Sequence, residues 1–227
     1  MDLTLKPIAH IKNDFPSKFG IPRQSGLING LRSKIVFTPE YRDANALRGI
    51  EGYSHLWLIW HFTDMKSEGF SPTVRPPRLG GNERVGVFAT RSPNRPNPLG
   101  LSCVKLVEIQ NDEKDGAVLI VEGADLMSGT PIFDIKPYLP ISDLKPDATS
   151  GFAEYTAEYE LEVILSETLS SLLPKEKVEL LIEILKQDPR PAYHNDPERI
   201  YGFQFSNFEI KFKVNENILT VTDIAQI

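Results

Sequence analysis

The stretch LSCVKLVEIQNDEKDGAVLIVE, residues 101–122, sets the architecture. It holds two runs, Leu101–Ile109 and Val118–Glu122, rich in β-branched residues and bounded by turn formers, so both read as strands. Asp115-Gly116 lies between them and suits a hairpin turn. Within the first run Cys103 alternates with apolar neighbours. Working outward towards the N-terminus, Leu3–Ile11, Lys34–Phe37, His55–Phe62 and Val85–Ala89 have the same character and are joined by loops rich in glycine and proline. One short helix is expected over Tyr41–Leu47, stopped by Gly49. The regular alternation of strand and helix that makes a doubly wound parallel sheet is missing. The first 140 residues therefore read as mainly β, with a barrel or sandwich carrying long functional loops.

Beyond Pro146–Gly151 the pattern changes. A strand over Glu158–Leu165 precedes a helical stretch that is broken by Pro174. Val178, Leu181, Ile182 and Leu185 recur at helical spacing, which requires one buried face. Pro189 and Pro191 end the helix, and strands Asn207–Val214 and Ile218–Thr222 close the chain around Asn215-Glu216-Asn217. Residues 152–227 thus form a small α+β domain behind a main domain of residues 1–146.

Composition narrows the function. With 227 residues, 41% hydrophobic and 25% charged, the chain has the make-up of a packed protein. Its single cysteine excludes an internal disulfide and a structural zinc site. No signal peptide is expected, since Lys6, Asp14 and Pro16 interrupt the first twenty residues. Leu56–Trp60 and Val118–Val121 are too short to span a bilayer, and a reducing cytoplasm is the expected compartment. The net charge of −6 conceals an asymmetry: residues 1–110 carry 15 Lys and Arg against 9 Asp and Glu, whereas the remainder carries 10 against 22. Indiscriminate nucleic-acid binding is disfavoured, and a local basic site in the first half is not.

The chemistry concentrates in Phe70–Ser102. Arg75, Arg78, Arg84, Arg91 and Arg95 fall there with six prolines, one acid (Glu83) and no lysine. Prolines stiffen the loop, and guanidinium forks pair with phosphates and carboxylates, so the expected ligand is anionic. The alternative is a set of structural ion pairs. Gln24, in the loop Pro22-Arg23-Gln24-Ser25-Gly26, suits the edge of a base or a plain turn equally. In Asp125–Pro131, Asp125 supplies a carboxylate and Gly129 permits close approach of a ligand. Asp134–Tyr138 can be a strand with Tyr138 in the core. His10, His55, His61 and His194 lack metal-ligand spacing; His55, His61, Trp57, Trp60 and Tyr53 read as core, and Cys103 as inert. No phosphate-binding glycine loop and no nucleophile elbow is present, which leaves phosphoryl transfer and serine hydrolysis without support.

Three ordered blocks, Arg75-Pro76-Pro77-Arg78-Leu79-Gly80-Gly81-Asn82, Gly86-Val87-Phe88-Ala89-Thr90-Arg91-Ser92 and Arg95-Pro96-Asn97-Pro98-Leu99-Gly100-Leu101-Ser102, resemble the signature of the TrmO family, also called TsaA- or YaeB-like. Pro22-Arg23-Gln24, Gly129-Thr130-Pro131 and the run Asp134 to Pro140 resemble its other blocks, and Gln187 to Tyr193 resembles a C-terminal segment of bacterial members. The resemblance covers nearly the whole chain. It implies a non-Rossmann β-barrel methyltransferase that uses S-adenosylmethionine and works as a homodimer. Its substrate would be tRNA, methylated on the exocyclic nitrogen of threonylcarbamoyl-adenosine at position 37. No metal and no membrane are implied. The resemblance places the cofactor on Pro22, Arg23, Gln24, Phe62, Thr63, Arg91, Leu101, Ser128, Gly129, Thr130 and Pro131. It places the substrate on Arg75, Arg78, Asn97, Lys136, Tyr138 and Arg190. Arg91, Arg95 and Asp125 are the expected catalytic groups: the arginines steady developing negative charge, and either Asp125 or a carboxylate of the substrate takes the proton. In one departure Ser128 stands where the family often carries Asp before Gly-Thr-Pro, so Asp125 or a backbone carbonyl must serve in its place. A non-enzymatic RNA-binding β-barrel is the competing expectation.

Overall fold

The computed structural model describes residues 4–63, 70–76, 83–156, 159–190 and 196–227. The main sheet contains β1 (Ala9–Lys12), β2 (Arg32–Phe37), β3 (His55–His61), β6 (Leu99–Asp112), β7 (Gly116–Glu122) and β8 (Pro131–Pro137). A small hairpin, β4 (Thr73–Val74) with β5 (Val85–Gly86), stands apart from it. The main sheet runs β1-β2-β7-β6-β3-β8, and β8 pairs back onto β1, so the ring of pairings closes. Every pair in it is antiparallel.

Alternation explains the interior. In β3, Leu56, Leu58 and Trp60 are buried while His55, Trp57, Ile59 and His61 are half-buried. The buried set meets Ile11, Ile35, Val104, Leu119, Val121 and Ile132 from the other five strands. β6 and β7 form the expected hairpin, with Asp112 opposite Gly116. A bulge between Leu106 and Glu108 bends the 14-residue β6.

Several expectations require correction. His55, His61 and Trp57 lie on the outer face of β3, and Tyr53 is 40% exposed, so none of the four is core. The period-2 register fixes this, because it hands the interior to the even-numbered residues. No α-helix forms over Tyr41–Leu47; two 3-10 turns, Pro39–Tyr41 and Ala44–Leu47, occur there, separated where the Asp43 carboxylate caps the Asn45 N–H at 2.9 Å. The strand expected over Val85–Ala89 stops at Gly86 and continues as a 3-10 turn.

After a one-turn helix α1 (Pro140–Asp143), the second unit contains α2 (Glu167–Ser170) and α3 (Lys175–Lys186), and a sheet ordered β10-β11-β12-β9. Its strands are β9 (Glu162–Ile164), β10 (Tyr201–Phe205), β11 (Phe208–Asn215) and β12 (Ile218–Gln226), with β9 parallel to β12. The sequence reading has no strand at Tyr201–Phe205. The buried face of α3, Leu181, Ile184 and Leu185, packs with Phe203, Phe205, Ile210 and Phe212 of the sheet. This core also takes in Phe15, Ile28 and Leu31 from the connection between β1 and β2. The chain therefore leaves the first unit after β1, crosses into the second, and returns as β2.

Candidate functional site

The inward positions of β3 and β6 are apolar except at one place. Ser102 is fully buried, between Gly100 and Val104 on the same face. A hydroxyl buried there requires partners. Trp60 Nε1 donates to Ser102 Oγ at 2.9 Å, and Ser102 Oγ in turn donates to Asp125 Oδ1. An indole N–H can only donate, so it fixes the serine hydroxyl as its acceptor and sends the hydroxyl proton to the carboxylate. Gly100 is what lets the indole lie flat here, since a Cβ at this position would stand 2.2 Å from Trp60 Cε2. We expect Gly100→Ala to displace the indole and cost about 1–3 kcal/mol, checked by chemical denaturation followed through tryptophan fluorescence.

Asp125 follows β7. Removal from water pushes its carboxyl above the ordinary value, while the Ser102 hydroxyl, the Arg91 charge and the Ser25 backbone N–H pull it part of the way back. Ser25 belongs to the 22–26 loop, which is fastened to the main sheet by Gly26 N–H to Gly123 O (2.8 Å) and Cys103 N–H to Ser25 Oγ (3.1 Å). Next to it, Gln24 Oε1 accepts from Arg91 Nη1. Gln24, Ser25, Arg91, Ser102 and Asp125 thus form one connected group: an exposed guanidinium over a half-buried carboxylate, both held by neutral hydrogen-bonding groups.

Of the expected residues, Gln24, Arg91 and Asp125 are brought together here. Phe62 lies against the Trp60 ring at 4.3 Å, with exposed Thr63 following it, and so borders the same group. Pro22 is buried at the base of the 22–26 loop, and Arg23 Nη2 reaches away to the Asp188 carbonyl at 2.5 Å. The 125–131 loop packs under β1: Ser128 N–H bonds Phe15 O at 2.8 Å and Gly129 N–H bonds Ile11 O at 2.7 Å. Ser128 Oγ accepts the Asn13 N–H at 3.4 Å, Thr130 is buried and Pro131 begins β8. Gly129 is exposed at φ +88°, with open space beyond its Cα.

Others lie apart. Arg95 holds its own loop through Nη1 to Thr90 O (2.6 Å) and Val87 O (3.3 Å), with its guanidinium over the Phe88 ring. Arg84 Nε holds Thr73 Oγ1 at 2.8 Å. Both arginines are structural, but they bond neutral oxygens rather than the acids that the ion-pair alternative called for. Leu101 faces outward at 56% exposure, and Asn97 and Arg75 are exposed. Lys136 pairs with Asp134 at 2.9 Å, and Tyr138 packs on Trp57 at the far end of β3. Arg190 is engaged in an ion pair with Asp188, Nε to Oδ1 2.8 Å. Arg78, Leu79, Gly80, Gly81, Asn82 and Tyr193 lie outside the described residues. Sequence reasoning missed Ser25, Ser102 and Trp60. A polar residue at an inward strand position was the available signal for Ser102.

Among the described residues, no three His, Cys, Asp or Glu side chains could hold a metal ion, and no helix is long and apolar enough to cross a membrane. Residues 10–144 match the family described as the tRNA-methyltransferase O N-terminal domain, and residues 158–227 the TrmO C-terminal domain. The chain is 42% identical over 217 residues to the tRNA (adenine(37)-N6)-methyltransferase of Escherichia coli K12, covering 92% of each. It is 43% identical over 176 residues to a protein of the same name from Eikenella corrodens, covering 77% of this chain and 98% of that one. A crystal structure of TrmO from Pseudomonas aeruginosa superposes with a TM-score of 0.80 at 31% identity, covering 100% of this chain and 98% of the other.

Proposed function

Because this chain belongs to the TrmO family, we propose that it methylates the exocyclic nitrogen of threonylcarbamoyl-adenosine at position 37 of tRNA. It is a tRNA methyltransferase whose methyl donor is S-adenosylmethionine. The closed six-stranded sheet is read as the β-barrel of a non-Rossmann enzyme, with residues 1–146 as the methyltransferase domain and 152–227 as the α+β domain. The connected Arg91–Gln24 and Ser102–Asp125 group is the observation that carries the reading.

The residues present suit the donor. Asp125 is the sole acid of the 125–131 loop, and its charge, partly withdrawn from water, favours a neighbouring cation. Exposed Gly129, open beyond its Cα, gives a ligand room to approach the backbone. Pro22 to Gln24 and Ser128 to Pro131 would hold the cofactor, and when bound it supplies an activated methyl group on sulfur. The acceptor nitrogen is ureido-like and must lose a proton as its new bond forms. Arg91 steadies the negative charge that develops on the adjoining carbonyl, and Asp125 is the group that takes the proton. A carboxyl raised by burial is a stronger base once ionised, which suits that role. Arg75 and Arg78 are proposed for the threonyl carboxylate of the substrate.

The enzyme is proposed to act as a cytoplasmic homodimer. Phe88 and Leu101, 72% and 56% exposed, are the kind of apolar surface that a second copy would cover. The reading as a whole is tested by a thermal-shift titration with S-adenosylmethionine, together with methylation of tRNA that carries or lacks the threonylcarbamoyl group. A saturable rise in melting temperature and methylation confined to the modified tRNA are expected. No shift together with no methylation, in a protein that still binds RNA, points instead to a non-enzymatic RNA-binding protein.

A further inference from the structure

The connection between β1 and β2 carries Arg23, Gln24 and Ser25 at its tip, yet much of its packing comes from the C-terminal unit. Phe15 lies against Phe205 with ring centroids 5.8 Å apart, and Phe19 against Phe203 at 6.1 Å. Gly20 passes so close to Phe203 that a Cβ would stand 2.3 Å from its ring. The Asp14 carbonyl accepts the Ser206 N–H at 2.8 Å, and the Asp14 carboxylate pairs with Lys177. At the tip, the Asp188 carbonyl accepts Arg23 Nη2 at 2.5 Å.

Asp188 is unusual in three respects. It is buried, it lies at φ +50° just after the C-terminal end of α3, and its carboxylate is fully engaged. Arg190 donates to it through Nε and Nη2, at 2.8 and 2.9 Å, and through its backbone N–H at 3.3 Å; Tyr159 Oη adds a contact at 3.3 Å. Both side chains of the Asp188–Arg190 pair are about nine-tenths covered. The pair locks the turn, and the left-handed backbone aims the Asp188 carbonyl at Arg23.

We propose that the C-terminal unit is a brace for the site, and that Asp188 is its positioning residue. It acts through Arg23 on Gln24 and Ser25, and through these on Arg91 and Asp125. This rests on the methyltransferase reading. The neighbouring residues make the link direct, because Gln24 holds the Arg91 guanidinium and the Ser25 N–H bears on Asp125.

Three full-length variants test it. Asp188→Ala removes the carboxylate and puts a residue poorly suited to φ +50° in its place. Asp188→Asn keeps a residue that tolerates this backbone but loses the charge. Val221→Ala weakens the same core from β12 without touching the turn. Each is measured by melting temperature, by amide hydrogen exchange of Gln24 to Gly26, and by single-turnover methylation at saturating cofactor. Asp188→Ala is expected to speed exchange at the tip and slow methyl transfer by roughly tenfold, with Asp188→Asn recovering much of both. Val221→Ala is expected to lower the melting temperature while leaving tip exchange and rate within about twofold of the wild type. Unchanged tip exchange in Asp188→Ala overturns the proposal, as does a loss of rate that follows melting temperature alike in Asp188→Ala and Val221→Ala. If the wild-type protein itself transfers no methyl group, the enzymatic reading fails, and the exchange measurement still decides the brace.

Discussion

Arg91→Ala is expected to slow single-turnover methylation by roughly two to three orders of magnitude, the usual cost of removing one donor from a site of developing negative charge. The side chain is exposed and bonds Gln24 rather than a core group, so its loss should leave the melting temperature nearly unchanged. Two further variants separate charge from geometry. Arg91→Lys keeps a cation but lacks the planar fork, and should recover a minor part of the rate. Gln24→Ala leaves the guanidinium in place but frees it to move, and should cost less than Arg91→Ala. Equal and small losses of rate and of cofactor affinity in Arg91→Ala would remove this residue from the chemistry.

Asp125→Asn is expected to have the second large effect, a loss of about 10²–10⁴-fold in methyl transfer if the carboxylate is the proton acceptor. The replacement amide oxygen can still accept the Ser102 hydroxyl, so local structure should persist. Burial raises the folded-state value of Asp125 above that of the unfolded chain, and the folded protein therefore binds this proton more tightly. The associated stability is fully present below about pH 3.9, the ordinary aspartate value, and is lost as pH rises through the raised value. At neutral pH the ionised carboxylate weakens the fold, so Asp125→Asn should melt at a higher temperature than the wild type there, with the gain shrinking towards acid. The methylation rate of the wild type should climb with pH through the same raised value, and the residual rate of the variant should not. A variant that is both less stable at neutral pH and fully active would exclude Asp125 as an enclosed base.

Strand periodicity made much of this molecule legible. The run His55 to His61 is legible as a strand, though large apolar and aromatic residues on both faces hid which face is inward, and the hairpin from Leu99 to Glu122 is marked by its turn. The residue types of the site were legible too, since Gln24, Arg91 and Asp125 were all singled out and meet in space. What stayed hidden depends on distant partners. Five arginines in one loop share a composition, but Arg95 meets carbonyls of its own loop while Arg91 meets Gln24, 67 residues away. Trp60 looks like any core aromatic until Ser102 is found 42 residues away to accept its N–H. Phe15, Ile28 and Leu31 sit between two strands of one sheet in sequence yet pack against another, and local pattern carries no record of that exchange.

The excursion between β1 and β2 has a consequence for how the chain matures. During synthesis, the strands from Ala9 to Pro137 emerge well before Tyr201 to Gln226. Until those three strands, β10 to β12, leave the ribosome, Phe15, Ile28 and Leu31 have no greasy surface to bury themselves in, and the Arg23–Ser25 tip is held from the main sheet alone. A growing polypeptide halted near residue 150 would thus display sticky aromatic side chains, inviting chaperones, and would carry a half-built active centre. A stretch translated late thus completes the work of one translated early.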